Sequence, residues 1–174
     1  MKSFRVILAA SVIATGVLSG AAGAHRADLV AKSGRAGPIR RGDTTMSEMR
    51  SWFGRPTSRQ RFRVGCVRVV KARWGRKLTV YASVATPRTV EAIFVRKPSV
   101  TSDVHGDLNF HTWRGLSVGD RERKLRRLYP GASPITHSGH THYRLATARN
   151  GGYLMGKVVG NRVVQLEVWP YEFC

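Results

Sequence analysis

RGLSVGDRERKLRRLYPGA, residues 114–132, is the stretch whose reading decides the fold. It passes from Gly-Asp into a short basic helix pattern and closes on Tyr-Pro-Gly. Residues 39–56, IRRGDTTMSEMRSWFGRP, have nearly the same layout. Met46, Met49, Trp52 and Phe53 recur at helical spacing in the earlier copy, and Leu125, Leu128 and Tyr129 in the later one. Gly54 and Pro56 stop the first helix, and Pro130 with Gly131 stops the second. The glycine of each Gly-Asp pair serves the turn, and Asp43 and Asp120 are the expected helix caps. Thr45 with Glu48 also has capping-box spacing, and Glu122 lies in a first turn where the helix dipole favours an anion.

Strand patterns follow each helix. After the first, Phe62, Val64 and Cys66 alternate, with Gly65 read as a bulge before Val67 and Val69. Leu78, Val80 and Ala82 return after a turn at WGRK, and either Val90-Ala92-Phe94 or Glu91-Ile93-Val95 supplies a third strand. After the second helix come HYRLATA, YLMGKVV and RVVQLEVW, the last two joined by the hairpin signal Gly160-Asn161. The expected fold class is α+β: tandem helix–β–β–β repeats, 38–96 and 112–174, in a single domain over 38–174. Short helices pack on antiparallel sheet, and a polar loop, 97–111, joins the repeats. Residues 25–37 read as a flexible leader.

The N-terminus has basic Lys2 and Arg5, an apolar run from Val6 to Leu18, and the small triplet Ala22-Gly23-Ala24. That is the layout of a cleaved secretory signal over 1–24, so a secreted or envelope-associated protein is expected. Removing it leaves roughly 150 residues, enough for one domain with a real core. The chain carries 30 Lys+Arg against 10 Asp+Glu, a formal net charge of +20. Such a field attracts polyanions and acidic proteins, although an arginine-rich surface can also be merely solvated. Two cysteines in an exported chain point to a Cys66–Cys174 disulfide, with free thiols or an intermolecular bridge as the alternatives.

On these residues the chain resembles small exported bacterial domains. GPIRRGDTTMSEMRSWFGRP is similar to the opening of the SmpA/OmlA-type outer-membrane assembly lipoproteins and of the repeats of the beta-lactamase inhibitory protein. TWRGLSVGDRERKLRRLYPGA resembles a module of secreted actinobacterial proteins. The resemblance implies a helix-on-sheet fold without catalytic residues, used to grip other proteins. The chain departs from the lipoproteins in lacking a lipid-attachment cysteine and from the inhibitor in being basic, so no target is carried over.

Two basic clusters are the candidate anion- or partner-binding residues. One is Arg55, Arg59, Arg61 and Arg63; the other is Arg121, Arg123, Lys124, Arg126 and Arg127. Their equivalent places after and within the two helices predict a single basic face. Trp52, Trp113 and Trp169 are expected to fill the seam between helices and sheet. Catalytic signals are sparse: there is no Gly-x-Ser-x-Gly, no His-Glu-x-x-His and no phosphate-cradling glycine loop. HSGHTHYRL, residues 137–145, is the exception, because His140 could ligate zinc and His142 assist a water as in a cell-wall peptidase. DVHGD, residues 103–107, does not supply the other ligands at the required spacing. The expectation is therefore a secreted, non-enzymatic binding protein without metal or cofactor. It engages a partner protein or an anionic envelope polymer; the alternatives are the zinc peptidase and a general polyanion or nucleic-acid binder.

Overall fold

The computed structural model describes residues 25–30, 34–137, 139–148 and 152–170. The signal-type segment and Cys174 lie outside the described residues. In chain order the elements are β1 (His25–Val30), β2 (Arg35–Ala36), β3 (Ile39–Arg40), α1 (Met46–Phe53), β4 (Ser58–Val64), β5 (Val67–Trp74), β6 (Leu78–Ser83) and β7 (Val90–Val95). They continue as β8 (Ser99–Ser102), β9 (Gly106–Thr112), α2 (Glu122–Leu128), β10 (Ser133–His137), β11 (His140–Thr147), β12 (Tyr153–Val159) and β13 (Arg162–Trp169).

The fold is mostly β, which corrects the α+β assignment. Among the described residues strands account for 56% and helix for 11%, so helices are a minor covering and not half of the architecture. The chain is not a tandem repeat of helices on sheet, and the helix-on-sheet fold implied by the resemblance is corrected with it. The helices have only 8 and 7 residues, and their buried stripes are narrow: Met46 and Met49 on α1, Leu125 on α2. An eight-stranded antiparallel sheet dominates, in the order β10-β11-β12-β13-β7-β6-β5-β4.

Four stretches account for the missing strands. Gly65 has φ +56°, a left-handed turn that L side chains rarely adopt, so the run read as one bulged strand is the hairpin β4–β5. Gly139 has φ +72° in the turn between β10 and β11, so the histidine-rich stretch lies in a hairpin whose first strand, β10, has no counterpart among the expected strands. Residues 97–111 hold β8 and most of β9, and residues 25–37 hold β1 and β2; these four join β3 in a second sheet, β3-β2-β1-β9-β8. There β1 runs parallel to β9, with Leu29 opposite Thr112. The Gly160-Asn161 signal is a tight hairpin with φ +54° and +63°.

Strand alternation sorts the large sheet into two faces. Val70, Ala72, Val80, Ile93, Val95, Leu154, Leu166 and Val168 all point to one side and are fully buried. All of these except Val70 form one core with Leu29, Ile39, Val100, Leu108 and Phe110 from the small sheet and with Met49 and Leu125 from the helices. This inner face is thus roofed by the small sheet, α1 and α2. Gly156 lets α2 come close, because a Cβ there would stand 3.3 Å from the Leu125 Cδ1.

Both expected caps are corrected. Thr45 is the N-cap of α1: its side chain accepts from the Glu48 N–H, and the Glu48 carboxylate accepts from the Thr45 N–H at 2.7 Å. Asp43 is exposed and two residues too early. Arg121 occupies the N-cap of α2 without a side-chain bond, while Asp120 accepts from the Ser117 N–H at 2.8 Å and pairs with Lys124 at 2.7 Å.

Candidate functional site

The outer face of the eight-stranded sheet, opposite the core, carries side chains that a solvated face does not need. The β4–β5 and β5–β6 registers place Phe62, Lys71 and Tyr81 on this parity, and the β6–β7 and β7–β13 registers continue it through Phe94 to Glu167. On β13 the same alternation gives Gln165, Glu167 and Trp169, and on β12 Tyr153, Met155 and Lys157.

Five rings form a continuous band across this face. Centroids are 5.4 Å apart for Phe62 and Tyr81, 4.7 Å for Tyr81 and Phe94, and 4.9 Å for Phe94 and Trp169. Trp169 then stacks with Tyr153 at 6.4 Å. Cations lie over the band: Lys71 Nζ is 5.7 Å from the Tyr81 ring, and the Arg144 guanidinium is 5.4 Å from Tyr153. All rings but Phe94 are only half-buried.

A polar network is set into the aromatic floor. Arg96 Nε donates to Gln165 Oε1 at 2.6 Å, Gln165 Nε2 donates to Glu167 Oε1 at 2.6 Å, and the Trp169 indole N–H donates to Glu167 Oε2. His142 Nδ1 stands 3.5 Å from the same carboxylate, which is only 2% exposed. A buried carboxylate needs such donors to replace the water it has lost. Burial and then the Glu167 charge raise the Tyr81 hydroxyl pKa; burial, then Arg73 and Arg96, lower that of the Lys71 ammonium. Chemically, the face offers rings for stacking and cationic donors for carboxylates or phosphates.

The residues singled out from sequence lie elsewhere. Arg59, Arg61 and Arg63 alternate along β4, the outermost strand, on the opposite parity from Phe62. The second cluster belongs to α2, which packs on β13, with β7, β6 and β5 between it and β4. The structure therefore does not merge the two clusters into one face. Within the second, Lys124 is paired with Asp120, and Arg126 bonds both Glu122 at 2.7 Å and the Tyr143 hydroxyl at 2.6 Å, while Arg121, Arg123 and Arg127 remain exposed. Arg55 is exposed just ahead of β4.

Trp52 sits in the α1 seam against Phe53 and His105, as expected. Trp113 is 51% exposed beneath the Arg114 guanidinium, and Trp169 belongs to the outer face. His140 is exposed and His142 is engaged with Glu167. Among the described residues no three His, Cys, Asp or Glu side chains cluster to hold a metal ion. Cys66 is not a free thiol, and its expected partner Cys174 lies outside the described residues. No described helix is long and apolar enough to cross a membrane.

Sequence reasoning missed Phe62, Tyr81, Phe94, Tyr153, Lys71, Arg96 and Glu167 as a group. The available signal was Gln165-Glu167-Trp169, two polar groups and an indole on alternate positions of a strand whose other positions are aliphatic. No family model, curated protein or solved structure matches the chain.

Proposed function

We propose that this chain is an exported, non-enzymatic binding protein that engages an acidic partner, a protein or an anionic envelope polymer, through its outer sheet face. The observation that carries this reading is the five-ring band edged by Lys71, Arg73, Arg96, Arg144 and Lys157, with every ring but Phe94 half-buried. Aromatic rings supply buried area at low entropic cost on binding, and arginines supply oriented donors, the combination that dominates binding hot spots. The +20 charge adds attraction at longer range.

The test is affinity for poly-glutamate and for a wall phosphopolymer at near-physiological salt. Wild-type protein should retain at least one of them, and the Lys71→Glu/Lys157→Glu variant should lose roughly tenfold or more in affinity. Equal affinity of both proteins would exclude the outer face as the site.

A further inference from the structure

The free edge of β4 carries a feature that the outer face does not explain. Among the described residues β4 pairs only with β5. Alternate residues of an edge strand turn their backbone N–H and C=O outward, so that edge is a template for another strand. Arg59, Arg61 and Arg63 stand exposed on one side of it at every second position. Phe62 and Val64 lie half-buried on the other side. The edge therefore has a cationic side and an apolar side.

Two further arginines converge on the cationic side. The Arg59 guanidinium pKa is lowered first by burial and then by the charges of Arg88, Arg50 and Arg61, which come from the segment before β7, from α1 and from β4. None of Arg50, Arg59, Arg61, Arg63 and Arg88 has an acidic partner among the described residues. Charge on an edge strand keeps copies of a protein from pairing edge to edge. Here a second β4 would set arginine against arginine, which disfavours another copy of this chain as the occupant. Discouraging self-pairing needs no convergence from two other elements, and the repulsion among these cations is relieved by acid groups brought from outside.

We propose that the β4 edge receives, as an added strand, an extended segment of a partner protein in which acidic residues alternate with apolar ones. The acidic positions face Arg59, Arg61 and Arg63, the apolar positions lie beside Phe62 and Val64, and the two backbones pair along the edge. This site does not rest on the outer-face reading. Its acid-facing arginines lie on the other parity of the sheet.

A fluorescent peptide, acetyl-Glu-Val-Glu-Tyr-Glu-Val-Glu-amide, titrated against the full chain by polarisation tests the proposal. Binding is expected, with roughly three- to fivefold loss for Arg61→Ala and more than tenfold for the Arg59→Ala/Arg61→Ala/Arg63→Ala variant. N-methylation of alternate peptide amides, in either phase, should abolish binding in the phase that blocks backbone pairing. A peptide with lysine in place of glutamate should not bind. The loss caused by the triple variant should be the same in a Lys157→Glu background, far away on β12, which separates this site from the outer face. The proposal is overturned if the wild-type chain does not bind the peptide at millimolar concentration. It is equally overturned if the triple variant keeps wild-type affinity while folded by circular dichroism, or if both N-methylated peptides bind like the parent.

Discussion

The two faces of the eight-stranded sheet are built from the same strands and obey opposite rules. On β13, Leu166 and Val168 are fully buried under the roof of the small sheet and helices, while Gln165, Glu167 and Trp169 between and beside them point the other way. The inner face is aliphatic and closed; the outer face mixes rings, cations and one buried carboxylate. A sheet that needed only to hold the fold would turn small polar residues outward. The outer face instead keeps half-buried aromatics and a satisfied charge, a composition suited to contact with another molecule.

The comparison breaks first at the inner face. Leu166→Ala removes a fully buried side chain from the middle of the core and should cost about 3 kcal/mol in urea unfolding, with outer-face binding retained by the fraction that stays folded. Glu167→Ala is the next largest. It leaves the Gln165 amide and the Trp169 indole N–H without their acceptor and should cost about 2 kcal/mol, and here binding should fall with stability, since Trp169 loses its anchor.

Tyr143 gives the smallest effect. It is an inner-face residue whose hydroxyl bonds to Glu122 and Arg126, fastening α2 to the sheet. The Tyr143 hydroxyl, followed by Arg126, holds the Glu122 carboxyl below the usual carboxylate range. A carboxyl with a lowered folded pKa stabilises fully above its unfolded value, about pH 4.3, and the contribution is lost as the pH falls through the folded value. Tyr143→Phe should therefore cost about 1 kcal/mol at neutral pH and flatten the decline of stability in acid. An unchanged acid limb would show that Glu122 is held by Arg126 alone.

Much of the inner face was legible and much of the outer face was not. The Met46–Phe53 helix and the aliphatic alternation of Leu78–Ala82 follow from local periodicity, and the structure holds them where that periodicity puts them. Of the two patterns open for β7, Ile93 and Val95 take the inner side, while Phe94 goes outward. That choice depends on the partners β6 and β13, which no local window contains. The β1–β9 pairing is also remote in sequence: Leu29 meets Thr112 only because the small sheet forms. Yet Leu108-Asn-Phe110 carried a strand alternation that was readable and was overridden by its polar neighbours. The caps were misplaced because Gly-Asp attracts a capping assignment, whereas hydrogen-bond geometry selected Thr45 at one helix and gave Asp120 to a turn at the other. The basic clusters were visible as composition, but their separation across the sheet is a matter of topology.

The central claim is that the outer face, and not the general positive charge, contacts the acidic partner. Covalent labelling of lysines with and without bound poly-glutamate tests it most directly. The account predicts that Lys71 and Lys157 are shielded while Lys124, held on α2 by Asp120 across the sheet from that face, keeps its labelling rate. Uniform slowing at all lysines, or shielding at Lys124 with Lys71 and Lys157 unaffected, would contradict it.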